Sequence, residues 1–308
     1  MDRVTTYSAY SSVLANLMQA QSRQVDAQNQ LSTGKRADDS RGFGGDSEAL
    51  TAARTLKTRV EGYLANAKSL ENRLDAQALA LAQVGDAAQE ARNAVANAVA
   101  NGRADGLMSA LESLFGQAVQ GLNTQHNGVY LFAGGKTDTR PVSVTSLADL
   151  AAAATTADVF ENDDLAATHR LDEATTLRTG VLADDVGAEL FGLMRQIKAF
   201  SDGPGGPLSG QLTQAQTDFL TGLLAPMDAA TAGITEATAE NGLMQNRAES
   251  TREVHQERAD MLEGLVGGLS EVDLAEAATR LAQAQTAVQA SAQVFASLRD
   301  TSLLYLLR

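Results

Sequence analysis

Apolar side chains recur every seven residues along Ala53, Val60, Ala67, Leu74, Leu81, Ala88 and Val95. A second series interleaves with the first: Leu56, Tyr63, Leu70, Gln77, Val84, Ala91 and Ala98. Two offset sevens put one stripe on a helix and require a partner helix along it. Asp46 or Ser47 can cap the start, and Asn101–Gly102 supplies the stop. The spacing predicts a helix of ~55 residues, ~80 Å long at ~1.5 Å per residue. Its partner is read as Leu243 to Leu265. A second helix is predicted from Ala104 to Gln125, with Leu107, Leu111, Leu114, Ala118 and Leu122 on one face. "NGVYLFAGG" then switches to alternation behind an Asn-Gly turn signal, which predicts a short strand or hairpin.

From 136 to 186 the pattern loosens into an acidic, weakly periodic stretch that predicts short strands and loops. Helical spacing returns in "GAELFGLMRQIKAF" and again from Leu212 onward. The four prolines, Pro141, Pro204, Pro207 and Pro226, all fall in the middle, so neither end carries a helix breaker. At the N-terminal end Tyr7, Tyr10, Leu14, Leu17, Met18, Val25 and Leu31 make a loose stripe among glutamines. At the C-terminal end Leu274, Leu281, Val288 and Phe295 stand seven apart. Both ends are amphipathic and weakly apolar, and each should bury its stripe against other helices.

Composition narrows what such helices can be for. The chain has 308 residues, no cysteine, no tryptophan and 4% aromatics. Cores of alanine and leucine suit close helix packing better than a sheet sandwich. The net charge of −14 argues against nucleic acid and anionic membrane surfaces as partners. No apolar run approaches the ~18 residues of a membrane span. "MDRVTTYSAYSSVLANLMQAQ" lacks the basic start and apolar stretch of a cleavable signal.

Candidate chemistry is sparse. His126, His169 and His255 lie in three separate segments. In "EVHQER", Glu253, His255 and Glu257 point to different helix faces, so the expectation is a solvated surface rather than a metal site. "GFGG" at Gly42 has neither the preceding strand nor the following lysine of a phosphate loop and reads as a flexible joint. "ADVFENDDLA" has Phe160 where an EF-hand would need Asp or Asn, so Asp158, Glu161, Asp163 and Asp164 read as a solvated loop. Lys35–Arg36 reads as a cap on its own helix. No nucleophile, base and orienting group assemble from local motifs. No enzyme, cofactor or metal site is expected.

Three blocks, in order, carry a resemblance. "LSTGKRADDSRGFGGDSEAL" (31–50), "YLFAGGKTDTRPV" (130–142) and "LSEVDLAEAATRLAQAQTAVQASAQVFASLRDTSLL" (269–304) resemble segments of the bacterial flagellin and hook-associated protein family. The middle block is most similar to hook–filament junction members. Lys35–Arg36–Ala37 departs from the pattern of many flagellins, whereas the Leu-Leu-Arg ending is flagellin-like.

The resemblance implies a mainly α fold: a long antiparallel helical coiled-coil shaft, paired terminal helices and a small mixed α/β outer insertion. Expected divisions are 1–42 with 268–308 for the terminal helices, 43–135 with 187–267 for the shaft, and 136–186 for the insertion. It further implies a structural subunit of the flagellum, exported through the flagellar type III apparatus without signal cleavage. Subunit contacts would fall on Tyr7, Tyr10, Leu14, Leu17, Leu31, Leu274, Leu281, Val288, Phe295, Leu298, Leu303 and Leu304. Implied partners are copies of the chain in a ring, a hook-side junction protein, flagellin, and an export chaperone on the C-terminal region; nucleic acid and membrane are not among them. A filament-forming flagellin is the alternative within the family, and a coiled-coil scaffold the alternative outside it.

Overall fold

The computed structural model describes the backbone of residues 2–306 and the side chains of Ser8 and residues 10–297. Seven α-helices are described: α1 (Asp2–Thr33), α2 (Asp46–Asn101), α3 (Leu107–Leu122), α4 (Leu147–Ala152), α5 (Ala183–Asp202), α6 (Gln214–Ser270) and α7 (Leu274–Leu306). Two hairpins accompany them, β1 (Gln125–His126) with β2 (Val129–Tyr130), and β3 (Thr168–Arg170) with β4 (Thr176–Arg178). The chain forms two compact units, one of residues 1–61 with 257–308 and one of residues 62–256.

In the unit of residues 62–256, the predicted seam of α2 is the centre of the core. Leu74, Leu81, Val84, Ala91 and Val95 are each wholly buried, and so is Gln77, the one polar member. α6 lies antiparallel to α2, fixed by ion pairs Arg252–Glu71 (2.7 Å) and Arg92–Asp228 (2.8 Å). Asn241 Nδ2 also donates to the Leu74 carbonyl at 3.0 Å. α2 ends in a Schellman turn: Gly102, at φ 62°, donates to Val99 O, and Arg103 donates to Ala98 O.

α3 lies on α2 so closely that a Cβ on Gly121 would stand 2.7 Å from Val84 Cγ2 and 3.1 Å from Ala80 O. Its five predicted core residues are buried. Phe115 meets Phe191 of α5 edge-on at 4.9 Å, and Phe160 stacks on Phe191 at 5.5 Å. The β1–β2 turn places Asn127 (φ 51°) and Gly128 (φ 81°) in the left-handed region that a type I′ hairpin requires.

The 136–186 stretch is more firmly built than its pattern implies. Leu147, Leu150, Val159 and Leu171 are at most 1% exposed. Asn123 at the end of α3 clasps Val142 with two hydrogen bonds of 2.9 and 3.0 Å, and Glu112 accepts the Leu147 amide at 3.2 Å. Asp163, expected in a solvated loop, accepts the amides of Gly135 (2.7 Å) and Leu165 (3.0 Å). Those two N–H groups hold its carboxyl below the ordinary aspartate value.

Candidate assembly interface

In the other unit α1 and α7 pack antiparallel. Tyr10 meets Phe295 at 5.0 Å near one end, and Lys35 bridges Glu271 at the other. The contact follows heptads in both helices. On α1 it runs through Tyr10, Val13, Leu17, Ala20, Gln24, Ala27 and Leu31, and on α7 through Ala277, Leu281, Ala284, Val288, Ser291 and Phe295, at alternating steps of three and four. The alanines lie deepest: Ala20 at 6% exposure, Ala27 at 3%, Ala277 at 0% and Ala284 at 6%. Small residues let the two backbones approach, while the larger residues flank the line at half burial.

The joint between the helices and the rest of the unit is specific. Gly34, at φ 70°, ends α1 and donates to Gln30 O at 2.9 Å. Two main-chain bonds then tie the strands together, Arg36 N to Ser270 O at 2.8 Å and Val272 N to Gly34 O at 3.0 Å. Arg36 does not cap its own helix. Its guanidinium reaches the Leu269 carbonyl at 3.3 Å, at the negative end of α6, and Asp46 at 3.2 Å, at the start of α2. Asp273 caps α7 by accepting the amides of Ala275 and Glu276. The "GFGG" segment is a built turn: Asp39 caps a 3₁₀ turn over Ser40–Phe43, and Phe43 is buried. Gly267–Gly268 lie inside α6, which runs through them.

Of the residues expected at subunit contacts, Tyr10, Leu17, Leu31, Leu281, Val288 and Phe295 face the α1–α7 seam and are half-buried. Leu14 (39% exposed) and Leu274 (55%) stand outside it. Tyr7, Leu298, Leu303 and Leu304 lie outside the residues whose side chains are described. Met18 (60%) and Val25 (54%) join Leu14 on a second apolar stripe of α1 that α7 leaves open. The buried alanines are not among the residues that the sequence pattern marks for contact. They occupy the second heptad position between the large residues, but alanine there does not stand out in a chain so rich in it. No helix among the described residues is long and apolar enough to cross a membrane.

Residues 4–137 match the bacterial flagellin N-terminal helical region, and residues 224–307 match the bacterial flagellin C-terminal helical region. The chain belongs to the bacterial flagellin family. The matched regions contain nearly all of α1, all of α2 and α7, and most of α6. Among solved structures, this flagellin-family chain is similar to a Vibrio parahaemolyticus protein assigned as flagellar hook-associated. The TM-score is 0.60 at 19% identity, over 75% of this chain and 98% of that one. It is also similar to Bacillus cereus FlgL, with a TM-score of 0.53 at 16% identity, over 70% of this chain and 98% of that one. Among proteins of curated function, none matches the chain. At such identities the structural likeness speaks for the fold, and the two flagellin regions speak for the family.

The three histidines lie in different surroundings. His126 lies in β1. His169 in β3 is half-buried, and its Nδ1 stands 2.8 Å from Thr179 Oγ1. Burial, and then the charge of Arg73, hold its ring below the ordinary imidazole value. Burial also lowers Arg73 from its usual value. His255, expected on a solvated face, is instead 1% exposed, because the β3–β4 hairpin folds over that side of α6; Glu253 and Glu257 beside it are exposed.

Proposed function

We propose that this flagellin-family chain is an axial structural subunit of the flagellum and acts as the hook–filament junction adapter. The observation that carries the reading is the terminal helix pair. Its inner seam is closed within the chain, and it keeps an outer stripe of Leu14, Met18 and Val25 exposed. An open apolar stripe on a closed helix pair calls for packing against further helices, which neighbouring subunits supply. Tyr7, Tyr10, Leu14, Leu17, Leu31, Leu274, Leu281, Val288, Phe295, Leu298, Leu303 and Leu304 form or support that contact. The similarity of "YLFAGGKTDTRPV" to junction members favours the adapter over a filament subunit. The partners are then further copies in a ring, a hook-side junction protein and flagellin. Export through the type III apparatus, with a chaperone on the C-terminal region, belongs to the same reading.

A filament-forming flagellin is the second reading, favoured by the Leu-Leu-Arg ending. Labelled protein on whole flagella separates the two: a single spot at the hook end supports the adapter, and label along the filament overturns it. Purified subunits mixed with short filament seeds give a second measure, since only a filament subunit elongates them.

A further inference from the structure

The open stripe on α1 carries one residue whose polarity can be changed by chemistry. Leu14, Met18 and Val25 follow at steps of four and seven, so at 3.6 residues per turn they fall within about 40° of one another. They are 39%, 60% and 54% exposed. Between residues 10 and 33 the charged side chains of α1 are Arg23 and Asp26, and both are turned about 100° or more from the centre of the stripe. An apolar line with no charge on its own side of the helix suits a covered state better than a solvated one. Under the proposed function its cover is a further copy of the chain, and a switch at Met18 depends on that contact.

Of the six methionines whose side chains are described, Met194 and Met227 are at most 1% exposed, and Met108 and Met244 pack against the buried clusters. Met18 and Met261 (75%) stand open. A thioether in that position is accessible to peroxide. A sulfur lone pair attacks one oxygen of hydrogen peroxide and the O–O bond breaks. That oxygen's hydrogen passes to the departing hydroxide, which leaves as water. The sulfur is oxidised by two electrons to the sulfoxide, and the peroxide is reduced. The sulfoxide oxygen needs a hydrogen-bond donor that an apolar contact does not supply. We propose that Met18 is an oxidation site that governs packing between copies of the chain. The thioether permits the contact, the sulfoxide blocks it, and enzymatic reduction restores it.

The test uses the purified full chain with and without brief treatment by dilute hydrogen peroxide. Peptide mass spectrometry should find Met18 and Met261 converted first and the four buried methionines spared. Sedimentation of the concentrated chain then reads assembly. Oxidation should weaken it by about tenfold or more, and treatment with both methionine sulfoxide reductases, one for each epimer, should restore it. Met18→Leu keeps the stripe apolar at similar volume, so it should assemble and ignore peroxide. Met261→Leu should stay as sensitive as the parent. Met18→Gln, polar at similar length, should assemble poorly without any peroxide while the circular dichroism of the free chain stays unchanged. Parent chain that assembles equally well before and after conversion of Met18 overturns the switch alone. So does a loss of assembly on oxidation that persists in Met18→Leu, or normal assembly of Met18→Gln. Untreated chain that associates neither with itself nor with flagella overturns the functional reading, and the switch with it.

Discussion

Two glycines in α3 meet opposite surroundings, and replacing each by alanine should move stability in opposite directions. At Gly116 an added Cβ finds nothing within 4 Å. The change there removes backbone freedom from the unfolded chain and should stabilise the 62–256 unit by about 0.5–1 kcal/mol. At Gly121 the same Cβ stands 2.7 Å from Val84 Cγ2 and 3.1 Å from the Ala80 carbonyl. Val84 is wholly buried and stiff at χ1, and the carbonyl belongs to the α2 backbone, so neither yields easily. Overpacking of this kind costs about 1–3 kcal/mol and outweighs the helix gain, which is smaller so near the end of α3. The net loss should be about 1–2 kcal/mol. For a unit of this size, each kcal/mol shifts the melting temperature by about 2–4 °C. Thermal unfolding of Gly116→Ala and Gly121→Ala, followed by helical circular dichroism, should therefore separate the two by several degrees around the parent. Equal shifts of the same sign would refute the packing argument.

Other outcomes follow from the same geometry. Leu281→Asp sets a charge in the half-buried α1–α7 seam and should abolish incorporation into flagella, while the melting of the 62–256 unit stays unchanged; normal motility would oppose it. Deletion of residues 145–175 should lower helical circular dichroism and the unfolding temperature sharply, because it strips Leu147, Leu150, Val159 and Leu171 from the buried interior. His169 has a folded value below that of an unfolded imidazole, so its contribution is present above about pH 6.5 and is lost as the pH falls toward the lowered value. His169→Gln should flatten stability against pH in that acidic range, as read from urea midpoints. Asp163→Ala should speed amide exchange at Gly135 and Leu165, the two donors its carboxylate holds.

Local signals were legible where local physics decides. The start and stop of α2, the five-residue face of α3 and the Asn127–Gly128 turn all follow from spacing, capping and the left-handed backbone. What could not be read depends on which distant surface arrives. Leu14 and Leu17 both look apolar on α1, and only the approach of α7 determines that Leu17 is covered and Leu14 is not. Lys35–Arg36 sits where a helix cap belongs, yet Arg36 serves the end of α6, more than two hundred residues away in the chain. His255 reads as surface until the hairpin that buries it is in place. The acidic stretch carries its buried residues, Val142, Leu147, Leu150, Val159 and Leu171 among them, too irregularly for either a helical or a strand period to expose them.

The pair of main-chain bonds between Gly34–Arg36 and Ser270–Val272 acts as an origin for counting. From that point the heptads run outward along α1 and α7, so their relative phase is set at the bridge. Insertions or losses anywhere in 62–256 leave that phase untouched. A single residue added between the bridge and either helix rotates that helix by about 100° at 3.6 residues per turn. The phase of the two terminal helices is thus indifferent to the length of the middle of the gene, whereas the two short joints cannot change by even one codon.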